Sequence, residues 1–173
     1  CKKVSAKLHA LARISKYMSQ AKLRLLLSAF IESQFDYCPL IWMFCSRTAN
    51  NRINKLHERG LRLVYKNNDL TFDELLRKDK SFTIHHRNLQ TLAIEMYKIE
   101  HNIASPIIKS LFPKQNLRYN LRNNNPFITY NVKTVSYGTE TLSFRGPKTW
   151  QIVPDEIKAS KSLPVFKKNI RNW

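Results

Sequence analysis

FIESQFDYCPLIWMFCSRTANNRINKLHERGLRLVY, from Phe30 to Tyr65, falls into two halves of opposite character. The first half is the most apolar part of the chain. The second reads as a helix with two stripes. With a step of about 100° per residue, Arg52, Lys55, Arg59, Arg62 and Lys66 fall within an arc of roughly 80°. Ile53, Leu56, Gly60, Leu63 and Val64 occupy an adjoining arc of roughly 100°. Such a helix seats its apolar stripe on a core and turns five cations outward. Only Glu58 interrupts the charge, so ion pairs within the helix do not account for it.

Working outward, Lys2–Lys16 reads as a basic helix with Val4, Leu8, Leu11 and Ile14 on one side. Ser19 is a candidate cap for a helix bearing Leu23, Leu26, Leu27, Phe30 and Ile31, which Pro39 ends near Cys38. The apolar run Leu40–Cys45 is expected to be buried, and Ser46 or Thr48 to cap the striped helix. Gly60 inside that helix costs about 1 kcal/mol relative to Ala and signals a close approach by a neighbour. Thr71 to Glu74 form a capping box. A long helix is expected over Thr83–Asn102, with Leu89, Leu92, Ala93, Met96, Ile99 and Ile103 as its buried stripe. Ser105 and Pro106 open a short helix to Phe112.

Residues 113–131 then have linker composition, rich in Asn and with Pro at 113 and 126. Val132–Tyr137 and Thr141–Phe144 read as a short β-hairpin turning at Gly138. A last helix carries Leu163, Phe166, Ile170 and Trp173, backed by Lys167, Lys168 and Arg171. The expected fold is mainly α: a helical bundle over 1–112, the linker, and a small α+β unit over 132–173. The core expected for that last unit is Phe144, Trp150, Ile157, Phe166 and Trp173.

In 173 residues, 30 Lys and Arg oppose 12 Asp and Glu, for a net charge of +18. Residues 1–66 are net +10, residues 67–112 neutral and residues 113–173 net +8. Two basic regions flanking a neutral middle suit two surfaces on one polyanion, with nucleic acid as the expected partner. The apolar run is too short to span a bilayer and no signal peptide is visible, so neither membrane nor secretion is expected. Cys1, Cys38 and Cys45 have no framework or zinc-knuckle spacing, which predicts free thiols in a reducing, intracellular compartment. A chain that opens on Cys1 in mid-helix pattern reads as a fragment or processed product.

The run FIESQFDYCPLIWMFCSR followed by NNRINKLHERGLRLVY resembles the region after the polymerase core of non-LTR (LINE-type) retrotransposon reverse transcriptases of the jockey type. The helix motif is Leu56, His57, Glu58, Arg59, Gly60, Leu61 and Arg62, with Gly60 where the family leads one to expect Ala. TIHHRNLQTLAIEMYKI and YGTETLSFRGPKTWQIVPDEIKASKSLPVFKKNI resemble that family's C-terminal tail. The resemblance implies that 1–112 is a thumb-like region of an RNA-directed DNA polymerase and the rest its tail. It implies RNA/DNA template–primer and the upstream palm and fingers as partners, and the nucleus as the site of action of an active parent. Catalysis is not expected in this chain. The family's Tyr-x-Asp-Asp motif is absent, Asp36, Asp69, Asp73, Asp79 and Asp155 are scattered, and Mg²⁺ would belong to the upstream polymerase core.

The expected function is therefore non-catalytic binding of a template–primer duplex by its phosphate backbone. The residues are Arg52, Lys55, Arg59, Arg62 and Lys66, with Lys167, Lys168 and Arg171 as a second set; Lys2, Lys3, Lys7 and Arg13 are weaker candidates. The alternatives are an interaction module that packs Phe30–Phe44 on the polymerase core, or a decayed remnant without function. His85 and His86 diverge by about 100° and cannot chelate one ion; one is expected packed and the other exposed. Tyr37, Trp42 and Phe44 are read as core rather than as stacking platforms for bases. Cys38, between Tyr37 and Pro39, has no local base to activate it.

Overall fold

The computed structural model describes residues 1–114 and 126–173, with Ser136 and Tyr137 described in backbone only. Most of the expected Asn-rich linker thus lies outside the described residues. The chain is mainly helical and divides into two compact units, Cys1–Asn88 and Leu89–Trp173. The division falls within a helix, not at 112/113 where composition changes. The reason is packing: the C-terminal part of that helix shares a core with later residues.

In the first unit, α1 (Lys2–Ile14) buries Val4, Leu8 and Leu11, and α2 (Gln20–Leu27) buries Leu23 and Leu27. A π-helical turn, Ser28–Glu32, follows, and α3 (Ser33–Asp36) ends before extended Tyr37. The wider π turn re-phases the helix so that neighbours Ile31 and Glu32 both face inward. Cys38 adopts the left-handed conformation with φ 45° ahead of α4 (Pro39–Trp42), so Pro39 marks the break in the chain direction. The run Leu40–Cys45 is not buried throughout, contrary to its composition: Met43 is buried, but Ile41 is 81% exposed. One short turn has too few residues to cover every side of itself.

Ser46 caps α5 (Arg47–Tyr65) by accepting from the Ala49 amide at 3.4 Å. The capping box of α6 (Phe72–Asp79) is complete, the Thr71 amide donating to Glu74 Oε2 at 2.7 Å and the Glu74 amide to Thr71 Oγ1 at 3.4 Å. Leu8, Leu23, Leu27, Ile31, Leu61 and Leu75 are fully buried in one cluster, which Ile84 at the start of α7 (Ile84–Glu100) joins. At Gly60 a Cβ would stand 2.5 Å from Leu27 Cδ1 and 3.5 Å from Leu8 Cδ2. The close neighbours of this glycine are leucine side chains.

In the second unit, α7 contributes Ala93, Met96, Tyr97 and Ile99 to a core with Phe112, Phe127, Trp150, Val153, Phe166 and Ile170. Phe166 stacks on Tyr97 at 4.3 Å between ring centroids, and Tyr97 Oη donates to the Ser160 carbonyl at 2.7 Å. Ile157 and Trp173 lie at the margin of this cluster, and Phe144 is buried. Ile103 is exposed. The short helix α8 spans Pro106–Ser110.

The expected β-hairpin is not formed. Val135–Thr139 is a π-helical turn, Thr141 is extended as an N-cap, and α9 runs from Leu142 to Ile152. Among the described residues the β contact is an isolated antiparallel bridge between Lys114 and Phe127. The β-branched residues of 132–141 suggested strands, but Phe144, Pro147 and Trp150 are all buried and recur every third residue. That spacing serves one helix face and no strand face, so packing overrides β propensity in the second expected strand, Thr141–Phe144, and leaves Val132–Tyr137 without a partner strand. The chain finishes with α10 (Asp155–Lys158) and α11 (Leu163–Ile170).

Candidate nucleic-acid interface

Nineteen residues of α5 place the cationic stripe. The face that is buried carries Ile53, His57, Gly60, Leu61 and Val64, while Leu56 and Leu63 are only partly covered. The buried arc is therefore centred further from the cations than the composition of the stripe suggested, and Leu56 lies between core and cations. Arg52, Lys55 and Arg59 are exposed. They line a shallow furrow of about 390 Å³ with Lys2 and Ser5 of α1, and Leu56 forms part of its wall. Arg59 Nη2 lies 3.5 Å from His9 Nδ1. Among the described residues no carboxylate lines this furrow. Arg52 and Arg59 are separated by about 10.5 Å of helix axis, the axial rise of about three phosphates of one strand.

The other members of the stripe stand differently. Arg62 is half-buried, paired with Glu58 at 2.7 Å, and also donates to the Asn68 carbonyl. Its guanidinium pins the chain after α5. Lys66 lies beyond the helix end as a left-handed C-cap with φ 50°, exposed but off the helical register. Lys167 and Lys168 are exposed on α11 and Arg171 at its C-cap, all in the second unit, where Gln90 Nε2 donates to the Arg171 carbonyl at 3.3 Å. On α1, Lys3 and Arg13 are exposed and Lys7 is partly covered.

A buried polar cluster beneath α5 was not anticipated. Glu32 lies 3.3 Å from Arg24, 3.5 Å from Arg87 and 3.4 Å from His57 Nε2, the last a close approach without hydrogen-bond geometry. Arg24 Nε also donates to Asp79 Oδ1 at 2.7 Å, and Tyr65 Oη donates to the same oxygen at 2.8 Å. Burial by itself would push the Glu32 carboxyl up, but His57, Arg87 and Arg24 outweigh it and hold it at about 2. The Tyr65 phenol is pushed up to about 12 by burial and its bond to Asp79. A buried carboxylate persists only with such partners. The cluster therefore fixes the base of α5 rather than offering a reactive group. One signal for it was in the sequence: His57 stands four residues from both Ile53 and Leu61, on the buried face.

Tyr37 is 76% exposed, and Trp42 is partly exposed, packed against the core on one side. Tyr37 is thus not the core residue expected, while Trp42 borders the core and Phe44 is partly covered. Burial pushes the Cys45 thiol up, away from nucleophilic behaviour at neutral pH. His85 is exposed and His86 stacks on Phe82 at 4.5 Å. Among the described residues no group of three or more His, Cys, Asp or Glu side chains is placed to hold a metal ion. No helix among them is long and apolar enough to cross a membrane.

Compared with known proteins, the chain matches no family model, no curated protein and no solved structure.

Proposed function

We propose that this chain is a thumb-like, non-catalytic portion of a non-LTR-type reverse transcriptase that grips a template–primer duplex by its phosphates. The observation that carries the reading is the acid-free furrow in which Lys2 joins Arg52, Lys55 and Arg59. Four cations at that spacing suit the backbone of one strand and read no bases. The sequence resemblance supports the same reading, and in it Lys66, Lys167, Lys168 and Arg171 would add further backbone contacts.

Fluorescence anisotropy of an RNA–DNA hybrid across a salt series tests it. About four contacts on a duplex give a log–log slope of about −3.6. An Arg52→Glu/Arg59→Glu variant that stays folded should bind more weakly and with a flatter slope. Unchanged binding by that variant would overturn the proposal.

Exposed Phe30, Tyr37 and Ile41 favour a second reading, in which this apolar surface packs on an upstream polymerase core. Its mark would be salt-insensitive binding to that core, lost in Ile41→Ser.

A further inference from the structure

Next to the cationic furrow, and sharing Lys2 with it, lies a second open hollow of about 600 Å³ between the start of α1 and the segment from Gln34 to Ile53. Trp42 forms part of its wall, with Lys2, Lys3, Gln34 and Ala49 around it. The indole is held in place: Nε1 donates to the Tyr37 carbonyl at 3.0 Å, and the Phe35 ring sits 6.3 Å away at 58°. A platform fixed in this way loses little freedom when something stacks on it. Gln34 is exposed and carries both an amide donor and a carbonyl acceptor, the pair a base edge demands. Lys2 and Lys3 supply cations for the flanking phosphates, and among the described residues no carboxylate lines the hollow.

We infer that this hollow seats an unstacked base of a single-stranded nucleic-acid segment, continuous with a backbone lying in the furrow. The chemistry is that of single-strand binders, an aromatic face beside a basic track. A base inside a closed duplex cannot present its face to Trp42, so the ligand is an unpaired strand or the unpaired end next to a duplex. The inference rests on the nucleic-acid reading proposed above and adds to it the class of strand.

The probe is a short thymidine homopolymer, compared with the blunt duplex it forms with its complement. Stacking on one base is worth about tenfold in affinity. Trp42→Leu, which keeps an apolar side chain at the site, should therefore weaken single-strand binding about tenfold and change duplex binding by less than about twofold. Because that variant could lose its fold, the unaltered chain is also photocrosslinked to the homopolymer carrying 5-iodouracil, with the adduct expected at Trp42. Equal losses on both ligands, or an adduct confined to α5, would overturn the inference while leaving the backbone grip intact. Absence of salt-dependent binding to either ligand would remove the grip and the base site together.

Discussion

Glu32 and His57 face one another at 3.4 Å in the first unit, their side chains 4% and 1% exposed. One comes from a π-helical turn and the other from the middle of α5. The pair, with Arg24 and Arg87, ties the helix that presents the cations to the helical segment beneath it.

Glu32→Gln keeps the shape and removes the charge. At neutral pH it should lower stability by about 3 kcal/mol, the low end for breaking a buried pair, since Arg24 and Arg87 keep some solvent contact. The pH dependence has a definite sign. The native carboxyl is held at about 2 against an ordinary value of 4.5, so its contribution is complete above about 4.5 and is lost as pH falls toward 2. Urea unfolding of both proteins between neutral and acid pH checks this. The gap between them should close in that window, while Glu74, whose carboxyl is also lowered by its Thr71 bonds, titrates alike in both.

Gly60→Ala should reverse sign with its background. In the native chain the new methyl meets Leu27, which is fully buried, and overpacking outweighs the propensity gain by about 1 kcal/mol. In a Leu27→Ala background the obstruction is gone, and the same substitution should stabilise by up to about 1 kcal/mol. Equal effects in both backgrounds, read by thermal or chemical unfolding, would refute the contact as the cause.

Arg59 and Arg62 should separate binding from stability. Arg62→Gln loses its pair with Glu58 and its bond to the Asn68 carbonyl, which together are worth about 1 kcal/mol of folding. Its salt slope on a hybrid should stay nearly unchanged. Arg59→Gln should leave stability nearly intact and reduce the slope by about 0.9. A salt series on the two variants, beside their unfolding curves, decides the matter.

Local chemistry made most helices of this chain legible. The Thr71–Glu74 box, the Ser105–Pro106 start and the cationic stripe of α5 each announce themselves within a few residues. What stayed hidden depends on residues far apart. Nothing near Ser28 announces a π turn, so the inward turn of Glu32 toward Arg24 and Arg87 could not be read. Gly146 and Pro147 lie inside α9 together with Trp150, and a Cβ on Gly146 would stand 2.6 Å from Phe112 Cε1 and 2.8 Å from Met96 Sδ. Long-range packing of that kind decides between helix and strand where propensity is weak. Likewise the furrow was half legible: the stripe on α5 was visible, but not the arrival of Lys2 beside it.

The second core draws Met96, Tyr97 and Phe112 from one side of residues 115–125 and Phe127, Trp150 and Phe166 from the other. Tyr97 is further joined to Ser160 by a hydrogen bond. Peptide continuity between the two sides is thus secondary to the oily seam that joins them. Residues 1–114 and 126–173, produced as separate chains in one cell, should reassemble and co-purify. Each alone leaves half a seam in water and should precipitate. A cut between 114 and 126 then yields complementing halves of the second unit's core instead of two independent domains.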